Sequence, residues 1–432
     1  MSRTPVIIDT DPGVDDVLAL LLALASPELE VLAIIVSYGN TDADASYLNV
    51  LKIYEILRRH LAKYPEEKKY WPNFAQQRKT VLARGANGPL QGELHSAQYF
   101  HGRDGLGDIT NRFPSLNLPK EVIQATVHPQ LELTDRPGVD VALDLINTYP
   151  SRNVTYIALG PLTTLAQIVT KGGNIFNERI GKIICMGGAL DVPGNTSPVA
   201  EFNFYADPFA VHDLLTHPPH APLPIPLERF LLLPLDITTP HELPFAYYVK
   251  HIDSSLPKTA TSESDHTNQT TSTSLVTYFT SAFLSRTREV MIKFGKDAME
   301  LHDITAVWCA IANPPSQSTL TEGWETTRRT FQVERIGELT RGMLVVDRRN
   351  DVGAYAPGSN RAKVQAELER LDIHPQGLLE SSAVPAQVDV EEESQAEPPV
   401  PQNSGVPVIT RTPGSEALLQ LLAKRVWGVG RA

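Results

Sequence analysis

The run Val6-Ile7-Ile8-Asp9-Thr10-Asp11-Pro12-Gly13-Val14-Asp15-Asp16 constrains this chain more than any other stretch. Its apolar, β-branched start predicts a buried strand, and Val17-Leu18-Ala19-Leu20-Leu21-Leu22 just beyond it predicts a helix. Four carboxylates fall within eight residues at the junction. Side chains alternate along a strand, which places Asp9 and Asp11 on one face. Pro12-Gly13 turns the chain, so Asp15 and Asp16 enter the first helical turn, where the dipole favours negative charge. Concentrating this charge at the carboxyl end of a strand is costly unless a cation neutralises it. Oxygen-only ligands suit a hard cation, Ca²⁺ or Mg²⁺. A solvated acidic loop is the plain alternative, and further acidic elements downstream argue against it.

Strand-like and helix-like patterns alternate along the rest of the chain. Leu29–Ser37 predicts a second buried strand ending in Tyr38-Gly39-Asn40, and a helix follows from Asp42 to about His60. Thr80–Ala83, Val154–Leu159 and Lys182–Met186 are short apolar runs that end at Gly-containing turns. Pro161–Thr170 reads as a helix between the last two, with proline at its first position. This order predicts an α/β fold: an open, mostly parallel sheet with helices on both faces, its site at the carboxyl ends of the strands.

Three stretches break the pattern. Residues 63–79 are charged and aromatic and predict a surface excursion; about 254–274 is dominated by Ser and Thr; about 374–405 is rich in Pro, Ser, Gln and Glu. The last two are expected to be disordered. Beyond them Val406–Thr410 is strand-like and Ser415–Val426 has helical periodicity, so all three are expected to be insertions in one domain covering residues 1–432.

A formal net charge of −12 argues against a nucleic-acid partner. Cys185 and Cys309 lie in apolar stretches, as buried thiols in a reducing compartment would. With neither a signal-peptide pattern nor about 18 consecutive apolar residues, a cytoplasmic protein with no membrane partner is expected.

Gly194–Asn203 is the second chemical element, with Asp207-Pro208 just beyond. Asn195, Glu201 and Asn203 offer amide donors and a carboxylate, a set suited to several hydroxyls of one sugar. Taken singly, Asn195 also fits a turn, and Asn203 and Asp207 fit helix caps. His302-Asp303 opens the amphipathic helix Ile304–Ala312, giving a group that titrates near neutrality beside a further oxygen ligand. His101-Gly102-Arg103-Asp104-Gly105-Leu106-Gly107-Asp108 is a Gly-rich loop able to close over a ligand.

Asp9–Asp16, Gly39-Asn40, His101–Gly107, Gly160-Pro161-Leu162-Thr163, Met186-Gly187-Gly188, Asn195–Asn203, Asp207-Pro208 and His302-Asp303 together resemble the inosine–uridine type nucleoside hydrolases, whose signature is DTDPGxDD. That resemblance implies calcium-dependent hydrolysis of the bond between ribose and a nucleobase. It implies Ca²⁺ ligation by Asp11, Asp16 and Asp303 carboxylates and by the Leu159 carbonyl, with Asp11 also the base for the attacking water. Asp15 and Asn40 would bind the ribose diol, and Asn195, Glu201 and Asn203 the other hydroxyls. His302 would assist departure of the base, and His101 would line its pocket.

The chain departs from the family pattern on the nucleobase side. The strand motif Leu235-Asp236-Ile237-Thr238 is followed by Thr239-Pro240 where His is common, Thr164 stands where Asn is frequent, and Ile304 where Pro is common. Purine or pyrimidine preference and oligomeric state, including a homo-oligomer, therefore stay open. Two other classes compete. Asp9-Thr10-Asp11 after a strand resembles the nucleophile loop of haloacid-dehalogenase-type phosphatases, which have no use for the residues that follow. A calcium-dependent nucleoside or ribose sensor would use the same pocket without turnover.

Overall fold

The structure, a computed structural model, describes residues 3–216, 225–260, 262, 274–348 and 405–431. The strands are β1 (Thr4–Thr10), β2 (Leu29–Val36), β3 (Thr80–Arg84), β4 (Leu131–Pro137), β5 (Thr155–Ala158), β6 (Lys182–Met186) and β7 (Phe230–Leu233). They continue with β8 (Glu242–Pro244), β9 (Ala298–Glu300), β10 (Glu325–Arg329), β11 (Gln332–Val333), β12 (Leu344–Val345) and β13 (Val406–Arg411). The central sheet runs β10-β13-β7-β6-β5-β1-β2-β3-β4, with β8–β9 and β11–β12 as separate two-stranded sheets. Every pairing in the central sheet is parallel except β10 with β13.

Alternation along β1 divides the core as the sequence implies. Val6 and Ile8 pack on one face with residues of helices Val14–Leu24, Leu275–Lys293, His302–Ala312 and Ser415–Trp427. Ile7 packs on the other with helices Gly138–Thr148 and Thr163–Arg179. Burying each such side chain contributes about 1.5–3 kcal/mol. Helices therefore cover both faces, and the polar chemistry is left to the strand ends.

The expected strands β2, β3, β5 and β6 form within a residue or two of their predicted limits. The helix predicted from Asp42 is Ala43–Lys63, capped by the Asp42 carboxylate accepting from Ala45 N. Pro161 lies before its helix, which starts at Thr163, runs to Arg179 and breaks at Gly173. Leu235–Thr238 is one turn of helix, not a strand, because β7 stops at Leu233 and Pro234 has no N–H to continue the ladder. In 63–79, Glu66, Lys68 and Lys69 face outward while Trp71 and Phe74 are buried. Asn73 ties this segment down by donating to the carbonyls of Ala23 and Ser26.

The stretches expected to be disordered fall mainly at 261–273 (Ser262 excepted) and 374–404, outside the described residues. β13 and the helix Ser415–Trp427 form as expected after the second of them. Both cysteines are buried and free. Among the described residues no helix is long and apolar enough to cross a membrane.

Candidate active site

Adjacent strands β6, β5, β1 and β2 bring Met186, Leu159, Asp11 and Asn40 to one end of the sheet. Asp11 and Asp16 form the floor, both fully buried. Asp16 organises the turn after β1: its carboxylate accepts from Thr10 Oγ1 at 2.5 Å, Gly13 N at 3.0 Å and Asn40 Nδ2 at 2.8 Å. Asp11 Oδ2 accepts from Asn40 N at 2.7 Å, whereas its buried Oδ1 has no partner among the described residues.

Gly39 and Gly160 make room for Asp11. A Cβ at Gly39 would lie 1.9 Å from Asp11 Oδ2, and one at Gly160 would lie 2.6 Å from Oδ1. Gly39→Ala is therefore expected to displace Asp11, lowering melting temperature and turnover together, the latter by at least roughly tenfold. A variant with wild-type turnover would show that the placement of Asp11 does not matter.

The carboxylates of Asp15, Asp16 and Asp303 converge, with one oxygen of each within 4.8 Å of the others. Burial, followed by the neighbouring carboxylates, drives the pKa values of Asp11 and Asp303 well above the usual range. Burial and the Asp16 charge raise Asp15 to about 7. Asp15 Oδ1, like Asp11 Oδ1, is buried without a partner among the described residues. Crowded, desolvated carboxylates with open oxygens fit a hard divalent cation, which would relieve both penalties.

One sequence expectation changes here. Asp9 is not part of the acidic cluster: it sits below the site, accepting from Ser37 Oγ at 3.2 Å and Tyr156 OH at 2.7 Å. Burial raises its pKa to about 7, and the hydroxyl donors Tyr156 and Ser37 partly offset that desolvation. Buried in this way, Asp9 is also unsuited to the phosphatase nucleophile role. Asp15, which the resemblance assigns to the ribose diol, lines the cavity and also converges with Asp16 and Asp303, because the first helical turn carries it beside them; Asp11, expected as a ligand with Asp16 and Asp303, is not in that group of three.

The residues expected to grip a sugar line one cavity of about 390 Å³. Glu201, not Asn203, caps the helix Phe202–Ala206: its carboxylate accepts from Asn203 N, Phe204 N and Gly188 N. Asn203 Nδ2 donates to the Leu159 carbonyl at 2.6 Å, the oxygen expected to ligate metal. Asn195 Oδ1 accepts from Phe202 N at 3.0 Å, and Asn40 Nδ2 also reaches the Asp11 carbonyl. These bonds fix the side chains in place while they face the cavity. Asp207 is a helix cap, as expected, accepting from Ala210 N.

His302 lines the same cavity. Its Nδ1 meets Thr238 Oγ1 at 2.8 Å and its Nε2 meets Glu300 Oε2 at 3.1 Å. Burial disfavours its charge, but Glu300, Asp15 and Glu201 outweigh burial and hold its pKa above the ordinary histidine value. Burial likewise opposes ionisation of Glu300, yet His302 and Lys296 bring it down to about 2. Lys296 bridges Glu300 and Glu242 at 2.9 and 2.6 Å. Sequence reasoning missed Glu300, Lys296 and Thr238. The spacing of Glu300 and His302, two residues apart at a strand end, was the available signal.

His101 ends the short helix Gln98–His101 and accepts from Val14 N through Nδ1. Burial, then the charge of His302, lowers its pKa to about 3, so it offers the cavity a neutral ring. Phe202, Met291, Phe294 and Met299 supply apolar wall to the same cavity. The cavity thus offers polar groups suited to hydroxyls and a cation together with apolar wall suited to a flat, weakly polar ring.

A family model described as inosine-uridine preferring nucleoside hydrolase matches residues 6–374. The pyrimidine-specific ribonucleoside hydrolase RihA of Salmonella arizonae is 30% identical over 344 residues, 79% of this chain and 88% of that protein. Uridine nucleosidase 1 of Arabidopsis thaliana is 33% identical over 211 residues, 49% of this chain and 52% of its own length. The matched stretch therefore spans about half the length of several of the curated relatives. Among solved structures, the plant nucleoside hydrolase PpNRh1 superposes with a TM-score of 0.62 at 23% identity, covering 99% of each chain. The purine-preferring ribonucleoside hydrolase from Gardnerella vaginalis gives 0.60 at 21%, covering 98% of each, and both establish a common fold.

Proposed function

Since this chain belongs to the inosine-uridine preferring nucleoside hydrolase family, we propose that it hydrolyses the N-glycosidic bond of ribonucleosides to ribose and a free nucleobase. One observation carries this: members of the acidic cluster, Asp15 and Asp303, and the Glu300–His302 pair line a single cavity. A cavity of about 390 Å³ falls within the roughly 300–1,000 Å³ typical of small-molecule sites.

We assign Asp11, Asp15, Asp16 and Asp303, with the Leu159 carbonyl, to holding Ca²⁺. Irregular oxygen ligation suits Ca²⁺ better than Mg²⁺, which demands a near-ideal octahedron. When bound, the ion supplies a template for hydroxyl oxygens and acidifies a water. Asp11, through its unpartnered Oδ1, accepts the proton of the attacking water. Asp15, Asn40, Asn195, Glu201 and Asn203 bind the ribose hydroxyls, and their carboxylates stabilise positive charge developing on the sugar. His302, kept charged by Glu300, donates a proton to the departing base. His101 packs against that base as a neutral ring.

Relatives named for uridine and pyrimidine ribonucleosides make uridine the first substrate to test. Ribose release from a panel of ribonucleosides, and from their 2′-deoxy counterparts, is the decisive measurement. At least one ribonucleoside is expected to turn over, and its deoxy form to be slower by roughly 10⁴-fold, because a missing hydroxyl leaves buried polar groups unpaired. Equal rates for the pair would end the diol assignment. Binding without ribose release from any of the panel would favour the sensor class.

A further inference from the structure

The opposite end of the sheet carries a second cavity, of about 570 Å³, at the amino ends of β6, β7 and β13. Its lining includes Arg152, Lys182, Arg229 and Arg328 against one carboxylate, Glu228. In a chain of net charge −12 this is an unusual local excess of cations.

Each cation is placed by the fold. Lys182 is only 8% exposed and donates to the carbonyls of Asn313 and Pro314 at 2.7 and 3.3 Å, leaving one of its three N–H groups for the cavity. Arg328 and Thr326 share one face of β10, and Arg328 also donates to Gly405 O at 2.8 Å. Arg152 adopts a left-handed backbone, φ 62°, held by its N–H bond to Arg179 O. A non-glycine residue in that region is strained, and such strain concentrates at binding sites. Arg229 pairs with Glu228, whereas Arg152, Lys182 and Arg328 meet no carboxylate among the described residues.

We propose that this cavity binds a small anion carrying two or more phosphate groups, at a site separate from the hydrolytic one. Guanidinium groups match phosphate oxygens in geometry, and an anion there neutralises three cations that meet no carboxylate among the described residues. Leu231, Leu320 and Pro407 add limited apolar lining, enough to accept a nucleoside attached to the phosphates.

The test is isothermal titration of the full chain with inorganic pyrophosphate, and separately with ADP, in buffer without added calcium. One saturable site is expected, weakening as salt rises. Arg152→Glu/Arg328→Glu should lower affinity at least tenfold while uridine turnover and melting temperature stay near wild type. Any heat from stripping bound calcium is common to both proteins, so the difference between them reports the cavity. Arg152→Glu, at an exposed side chain, repeats the test should the double variant fold poorly. Tighter ADP than pyrophosphate would assign a nucleotide, and equal affinity the phosphates alone. Affinity unchanged by the substitutions, or no saturable binding, overturns the proposal.

Discussion

Asp303→Asn is expected to reduce ribonucleoside turnover by at least about 10³-fold in a protein that still folds. Asparagine keeps the size of the side chain but removes one charge from the cluster it forms with Asp15 and Asp16. Saturating calcium should stabilise the wild type, by about 2.7 kcal/mol at a hundred times its dissociation constant, and should not stabilise the variant. The pH dependence follows from the raised carboxylates. An acid whose pKa is raised on folding contributes stability fully below its unfolded value near 4 and loses it as pH rises through the folded value. For Asp15 that value is about 7, and Asp11 and Asp303 are shifted in the same direction. Chelator-treated wild type should therefore melt lower at pH 8 than at pH 5.5, and calcium should restore it most at pH 8. With one repelling charge gone, Asp303→Asn in chelator should melt above chelated wild type at pH 8. Calcium that raises the melting temperature of both proteins equally, or full activity after chelation, would sink the metal assignment.

His302→Ala should lose roughly 10²–10⁴-fold in turnover of uridine while retaining calcium. The structure gives the residue two anchors, Thr238 on Nδ1 and Glu300 on Nε2, and a place on the cavity wall. A p-nitrophenyl riboside, whose leaving group departs without protonation, should show a much smaller loss. Were His302 only a packing residue at the helix start, both substrates would suffer alike and the protein would melt earlier. Turnover of both, measured beside thermal unfolding, separates the two outcomes.

Much of this was written locally in the chain. The apolar runs of β1, β2, β3 and β6 are continuous because both of their faces are covered, and the chain punctuates them with Gly, Pro and Asp where they end. That is why the open parallel sheet, helices on both faces, and a concentration of acid at the strand ends could be read from residue order. The later strand β13 and helix Ser415–Trp427 were equally legible, since their periodicities are short-range properties.

Tertiary structure decided which of the acids act together. Asp9 and Asp11 are two residues apart, yet one meets Tyr156 and Ser37 below the site and the other meets Asn40 at its floor. Asp15 joins Asp16 and Asp303 across nearly three hundred residues of chain, and Glu300 and Thr238 close on His302 from separate elements. A sequence fixes the spacing of its own neighbours and therefore their period and face. Desolvation and the distance to another charge depend on which strands lie side by side, and only the folded order β6-β5-β1-β2 settles that.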